Sequence, residues 1–103
     1  MIKITIRYAK SKEFESLSIK GHANSGPLGH DLVCAAVSGV VLGGINALEG
    51  KFSLKQDSKS GSIELAKSQD ISEHDKVVIE TIIAQIKSIA RDNPKNIDVS
   101  VVD

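Results

Sequence analysis

The sequence has 103 residues, of which 41% are apolar and only 3% aromatic, so its core must be built from aliphatic side chains. Thirteen basic residues balance thirteen acidic ones, which excludes a global electrostatic field directed at nucleic acid or a membrane. The one cysteine excludes an internal disulfide framework and is typical of a reducing compartment. A chain of this length predicts a single domain over residues 1–103, because two halves would be too small to hold separate cores.

The N-terminal residues predict a β-hairpin. Isoleucine alternates with polar residues over positions 2–6, which indicates a half-buried strand rather than the continuous apolar run of a signal peptide. Phe14, Leu17 and Ile19 predict a second strand that pairs with the first, although the alternation slips near Ser16.

A helix is predicted from Asp31 to about Leu48, with Asp31 as its N-cap. The run LVCAAVSGVVLGGINAL is apolar or small on nearly every side, and Gly39, Gly43 and Ala47 lie four residues apart. Such a helix is buried on more than one side. It is either the central helix of the monomer or a homodimer seam, and the two interpretations are compatible. The run is too short to span a bilayer, so we expect a cytoplasmic protein.

The next part of the chain predicts a second hairpin and a second helix. Short strands at residues 52–54 and 63–65 flank the turn sequence DSKSG. Ser72 and Asp75 resemble a capping box with Asp in place of Glu. Beyond them, apolar residues at helical spacing over positions 79–90 predict a surface amphipathic helix.

The C-terminal residues predict one more strand. Asn93-Pro94 ends the second helix, and apolar residues alternate over positions 97–101. The resulting order is ββαββαβ. It predicts an α+β fold in which two helices pack on a mostly antiparallel sheet.

The stretch GHANSGPLGHDLVCAAVSG, residues 21–39, carries the candidate chemistry. Cys34 falls in the first turn of the predicted helix, where the helix dipole stabilises a thiolate. His22 lies twelve residues earlier, at the end of the second strand, from where it could reach the sulfur across the loop. A Cys–His pair performs nucleophilic catalysis on carbonyl groups. The alternative is structural, with Cys34 in the core and His22 bonded to the backbone, since Cys is among the most buried residue types.

Neighbouring residues leave further interpretations open. His30 and Cys34 lie four apart and, with His22 and Asp31, could bind a metal, although no Cys-x-x-Cys supports a zinc site. Asp31 either caps the helix or orients His22 as the third member of a triad. Ser38, one turn beyond Cys34, either contributes to the site or bonds back to its own helix.

One family shares this motif. Gly21-His22-Ala23, the gap of seven residues to Asp31 and the run DLVCAAVS closely resemble the ribosomal-processing cysteine protease family, Prp. The length and element order also match, so the resemblance covers essentially the whole chain. It implies that Cys34 is the nucleophile, that His22 is the general base and later acid, and that Asp31 and Ser38 support them. It implies a single Prp-like cysteine protease domain that works without a metal or other cofactor.

The resemblance also implies a substrate and partners. Family members remove the N-terminal extension of large ribosomal subunit protein twenty-seven, a cleavage that ribosome assembly needs, and they are homodimers. The substrate is expected to order the loop between the two catalytic residues. That loop consists of Ala23, Asn24, Ser25, Gly26, Pro27, Leu28, Gly29 and His30.

A second function class competes with the enzyme. A non-catalytic, ribosome-associated binding module could use Lys10, Lys12 and Lys20 to contact RNA or a ribosomal protein. The neutral charge and the scarcity of aromatic residues count against an RNA platform. We therefore expect the ribosomal protein precursor and a second copy of this chain as partners, with no membrane and no direct nucleic-acid partner.

Overall fold

The computed structural model, described for residues 1–21, 32–57 and 59–103, confirms the order ββαββαβ. The elements are β1 (Ile2–Tyr8), β2 (Phe14–Lys20), α1 (Leu32–Ile45), β3 (Phe52–Asp57), β4 (Ser62–Lys67), α2 (Glu73–Asp92) and β5 (Ile97–Val102).

The strands form one sheet in the order β3-β4-β2-β1-β5. The pairs β1–β2, β2–β4 and β3–β4 are antiparallel, whereas β5 is parallel to β1. The predicted α+β class, the mostly antiparallel sheet and both hairpins are therefore confirmed. β3 and β5 are the edge strands.

A β-bulge accounts for the slip in the alternation of β2. Arg7 of β1 pairs with Ser16, but the next residue, Tyr8, pairs with Phe14. Glu15 is thus an extra residue on β2, and it shifts the side chains on either side of it by one position. Phe14 and Leu17 both remain buried as a result.

The core lies between the sheet and the two helices and is almost wholly aliphatic. β1 buries its three isoleucines, and α2 buries a stripe at helical spacing. The buried apolar residues of the described chain are Ile2, Ile4, Ile6, Phe14, Leu17, Ile19, Val33, Val37, Val41, Ile63, Leu65, Ile79, Ile82, Ile83, Ile86 and Ile97.

Helix α1 buries only one stripe. Val33, Val37 and Val41, spaced four apart, are its buried residues. Leu32 is 79% exposed, and, apart from the backbone of α1 itself, no atom of the described residues lies within 4 Å of the place that a Cβ would take at Gly39 or Gly43. Within the described residues, α1 therefore packs on the core through one stripe while its opposite side stays exposed, which is compatible with both interpretations, a central helix of the monomer and a homodimer seam. Within the described ranges, no helix is long and apolar enough to cross a membrane.

The two helices approach each other closely near the end of α1. A Cβ at Gly44 would overlap the side chain of Ile82 on α2, so the absence of a side chain permits this contact. α1 ends at Ile45, three residues before the predicted Leu48. The reason is that the chain tightens there, with Ala47 N–H donating to the carbonyl of Gly44 at 2.9 Å and Leu48 N–H to that of Ile45 at 3.1 Å.

The predicted cap of α2 is present, with a different role for its acidic residue. Ser72 is the N-cap, and its hydroxyl accepts the N–H of Asp75 at 3.1 Å. The Asp75 carboxylate accepts the N–H groups of Glu49 and Gly50, at 2.9 and 2.8 Å, instead of turning back to Ser72. Asp75, 1% exposed, thereby joins the start of α2 to the segment that leads into β3.

Candidate active site

Cys34 lies on the flank of α1, beside the stripe that anchors the helix. Burial of Val33, Val37 and Val41 sets the rotation of the helix about its axis. Cys34 and Ser38 each follow a buried valine by one residue, so they share a neighbouring stripe that is only partly covered. Cys34 is half-buried and Ser38 is exposed.

This stripe borders a pocket of about 300 Å³ between α1 and the β3–β4 hairpin. The side formed by α1 includes Cys34, Ala35, Ser38 and Leu42. The floor is apolar, since Ile2, Ile19, Val37 and Ile63 also line the pocket. The pocket therefore brings the only thiol of the chain next to an apolar surface, in a concave site that can hold part of a peptide.

The opposite wall comes from the end of the β3–β4 hairpin. Gln56, Asp57, Gly61 and Ser62 line the pocket there, and we call these four residues the hairpin wall. Asp57 is the one charged residue among the described lining residues, and its Oδ1 accepts the N–H of Lys59 at 3.0 Å. Sequence reasoning missed the hairpin wall, because no local pattern indicates that these four residues lie across from Cys34.

The pairing of β2 with β4 explains this juxtaposition. Ile19 pairs with Ile63, near the end of β2 and the start of β4, so the hairpin wall lies beside the end of β2. Gly21 also lines the pocket. Its φ is +93°, and a Cβ there would come within 2.6 Å of the Met1 carbonyl oxygen, so only glycine fits this position without strain.

Several predicted site residues lie outside the described residues. They are His22, the loop Ala23 to His30, and Asp31. Of the four residues assigned to catalysis, the structure describes Cys34 and Ser38, which it brings to one pocket. The roles of His22, Asp31 and the loop stay predictions.

The metal interpretation falls mostly on the same segment. Among residues 1–21, 32–57 and 59–103, no group of three His, Cys, Asp or Glu residues is arranged to hold a metal ion. The residues predicted to bind a metal together with Cys34 are His22, His30 and Asp31. They lie outside the described residues, so the metal interpretation stays a prediction.

A second cluster of titratable groups lies at the start of α2, away from the pocket. The His74 Nε2 atom is 3.0 Å from the Ala47 carbonyl oxygen, and Glu49 and Asp75 lie close to it. The hydrogen bond to Ala47 raises the pKa of His74, and the nearby carboxylates act in the same direction against the opposing effect of burial. The N–H of Glu49 is the main cause that lowers the pKa of Asp75, with the Gly50 N–H and His74 adding to it against burial.

The model of the family described as "Cysteine protease Prp" matches residues 1–98. The chain belongs to the Prp family.

Relatives and solved structures agree with this membership. The ribosomal processing cysteine protease Prp of Bacillus subtilis is 34% identical over 108 residues, covering 97% of this chain and 96% of the relative. The protein of that name from Mycoplasma genitalium is 38% identical over 98 residues, covering 94% of this chain and 92% of the relative. A crystal structure of a Streptococcus mutans protein is similar with a TM-score of 0.86 at 30% identity, covering 99% of this chain and 94% of the other.

The fold of this chain also matches that of the ribosomal processing protease Prp from Staphylococcus aureus, solved in complex with a covalently linked product peptide. The TM-score is 0.92 at 23% identity, over 98% of this chain and 99% of the other. With the family and its relatives, the class of the protein follows: it is a cysteine protease, an enzyme that hydrolyses peptide bonds.

Proposed function

We propose that this protein is a cytoplasmic endopeptidase that removes the N-terminal extension of large ribosomal subunit protein twenty-seven, a cleavage needed for ribosome assembly. The family resemblance implies this substrate, and the relatives named as ribosomal processing proteases support it. The observation that carries the proposal is the position of Cys34, the only cysteine, on a pocket with an apolar floor. Such a floor suits the apolar residues of a peptide segment.

Cys34 is the nucleophile of the proposed reaction. A cysteine protease needs a thiolate, and no other residue of this chain can supply one. The sulfur attacks the carbonyl carbon of the scissile bond and forms a C–S bond. Backbone N–H groups near the start of a helix are suited to stabilise the oxyanion.

His22 is the proposed acid and base. It takes the thiol proton, returns it to the leaving amine as the C–N bond breaks, and then removes a proton from the water that hydrolyses the acyl-enzyme. The support comes from its neighbour in sequence, since Gly21 lines the pocket that Cys34 also lines. Asp31 and Ser38 are proposed as supporting residues, and Ser38 lines the same pocket. The loop Ala23 to His30 is proposed to bind the substrate.

A second copy of this chain is the proposed partner of α1. The exposed side of the helix consists of small and apolar residues, namely Leu32, Ala35, Ala36, Gly39 and Gly43. Because no described residue outside the backbone of α1 approaches Gly39 or Gly43, the backbone of another helix can come close to them. A symmetric contact of this kind buries the same side of both copies.

Incubation of the protein with a synthetic peptide tests the function. The peptide carries the extension and the first residues of the mature ribosomal protein, and mass spectrometry locates the cut. We expect one specific cut by the wild type and none by Cys34→Ala or His22→Ala. His74→Ala is the matched control, since His74 is an exposed histidine away from the pocket, and it should cut at close to the wild-type rate.

Three results contradict parts of the proposal. Equal cutting by Cys34→Ala rejects the nucleophile. Equal cutting by His22→Ala rejects the acid–base role. If the peptide binds but neither the wild type nor any variant cuts it, the result favours the alternative, a non-catalytic binding module.

A further inference from the structure

Gln56 reaches the pocket from the edge strand of the sheet. It pairs with Ile63 in the β3–β4 register, so both side chains lie on the same face of the sheet. Ile63 is buried on the face that the helices cover. Gln56 therefore faces the space beside α1, and it lines the pocket across from Cys34.

Gln56 is the one polar side chain of the hairpin wall that forms no hydrogen bond within the described residues. In the hairpin wall, Asp57 Oδ1 accepts the N–H of Lys59 at 3.0 Å, and the Ser62 hydroxyl accepts that of Ser60 at 3.1 Å. The Gln56 amide makes no hydrogen bond or ion pair with any other residue of the described part, and the residue is exposed. Two N–H donors and one carbonyl acceptor are thus presented to whatever enters the pocket.

The strand that carries Gln56 is held in place at both ends. β3 pairs with β4 from Phe52 to Asp57, and the Ser68 hydroxyl donates to the Lys51 carbonyl at 2.9 Å just before the strand. One residue earlier in the chain, the N–H of Gly50 donates to the Asp75 carboxylate. Because the backbone is fixed, ligand binding restricts only the Gln56 side chain, which keeps the entropic cost of a hydrogen bond small.

The surroundings of the amide indicate the chemistry of its partner. The floor of the pocket is aliphatic, so a polar group that enters there leaves water and needs a hydrogen bond from the protein. An uncharged amide that both donates and accepts complements a peptide group, which offers one N–H and one C=O. A charged side chain of the substrate would instead require an opposite charge, which Gln56 does not carry.

We propose that the Gln56 amide binds a main-chain peptide group of the substrate beside the cleaved bond, and so sets the register in which the peptide lies against Cys34. This inference rests on the proposed function. It makes Gln56 a specificity-determining residue on the wall of the pocket that faces α1.

The test compares Gln56→Leu with the wild type on the extension peptide and on ester analogues. In each analogue one peptide group next to the scissile bond is replaced by an ester, and the scissile amide is kept. We expect Gln56→Leu to raise KM roughly tenfold with a smaller change in kcat, as for loss of one hydrogen bond in a partly buried site. At one position, the ester should raise the KM of the wild type by a similar factor and should not raise the KM of Gln56→Leu any further.

Two controls separate this role from a structural one. Gln85→Leu makes the same change on the exposed side of α2, away from the pocket, and should leave KM unchanged. The Tm of Gln56→Leu should equal that of the wild type, because the side chain is exposed and forms no hydrogen bond within the described chain. The proposal is overturned if Gln56→Leu lowers the Tm and lowers kcat without changing KM.

Peptide binding to Cys34→Ala, measured by calorimetry, separates the inference from the proposed function. If the wild type does not cut the peptide, the proposed function fails, and a roughly tenfold weaker affinity of Cys34→Ala/Gln56→Leu still supports a contact with Gln56. If the wild type cuts and Gln56→Leu matches it in KM and in ester sensitivity, only the inference about Gln56 is overturned. Equal affinity of Cys34→Ala and the double variant overturns it as well.

Discussion

The Asp75 carboxylate accepts the backbone N–H of Gly50 at 2.8 Å and so connects the first turn of α2 to the segment before β3. The same carboxylate accepts the N–H of Glu49, and Asp75 is 1% exposed. A buried carboxylate with two backbone donors defines the path of the chain between α1 and β3. Since β3 carries part of the hairpin wall, this contact helps to position one side of the pocket that Cys34 lines.

Replacement of Asp75 by Asn should destabilise the fold. The amide has one acceptor oxygen for two N–H groups, and its NH₂ would face a backbone donor, which leaves a buried group unsatisfied. We expect the Tm to fall by about 10 °C in a domain of this size. Asp92→Asn is the control, because Asp92 is an exposed residue of the same helix, and it should change the Tm by no more than about 1 °C.

The acid limb of the stability profile should also depend on Asp75. Its pKa is lowered in the folded protein, so its contribution is present above the unfolded-state pKa of about 3.9 and is lost as the pH falls through the folded pKa. Thermal unfolding between pH 2 and 6 measures this. The Tm difference between wild type and Asp75→Asn should shrink as the pH falls below about 4. A difference independent of pH would contradict a stabilising ionised carboxylate.

The contribution of His74 to the stability of the fold should have the opposite pH dependence. Its pKa is raised in the folded protein, so its contribution is fully present below the unfolded-state pKa of about 6.5 and is lost as the pH rises through the folded pKa. The wild type should therefore exceed His74→Gln in Tm most clearly near pH 6, with the difference declining toward pH 8. A direct NMR titration of the imidazole resonances checks the direction, and a pKa below about 6.5 would contradict it.

The glycines of α1 should respond differently to alanine. Gly44→Ala places a methyl group on Ile82 and should cost about 1–3 kcal/mol of unfolding free energy. A Cβ at Gly39 would meet no described residue outside the backbone of α1, so Gly39→Ala should instead stabilise the monomer by about 1 kcal/mol through helix propensity. Urea denaturation in a Leu32→Lys background removes the contribution of self-association. Equal effects at the two positions would contradict the packing described for α1.

Self-association should be sensitive to the exposed side of α1. Leu32→Lys places a charge in the proposed seam and should shift the mass from dimer to monomer in light scattering at micromolar concentration. Val77→Lys is matched, since Val77 is also an exposed aliphatic residue, 59% accessible, but on α2. A dimer that survives Leu32→Lys and dissociates with Val77→Lys would move the interface to α2.

The neighbourhood of Cys34 and Ser38 on α1 could be predicted because its signal is local. The two residues lie one turn apart on a helix whose start follows from the pattern around residue 31, and the structure places both on one pocket, while their roles stay predictions. Gln56 and Asp57 carried no such signal. They reach the pocket through strand pairing between β4 and β2, and the register of pairs far apart in sequence does not follow from the periodicity of either strand.

The amino-acid sequence by itself determined the element order, the aliphatic core and the family, because alternation, helical spacing and a compact motif are all local properties of the chain. Only the tertiary structure decided that the β3–β4 hairpin faces Cys34, that Asp75 bonds to Glu49 and Gly50 instead of completing its capping box, and that the described residues leave Leu32 of α1 exposed. These outcomes depend on which surfaces meet when the sheet and helices pack, and that choice is made by shape and hydrogen bonding between residues distant in sequence.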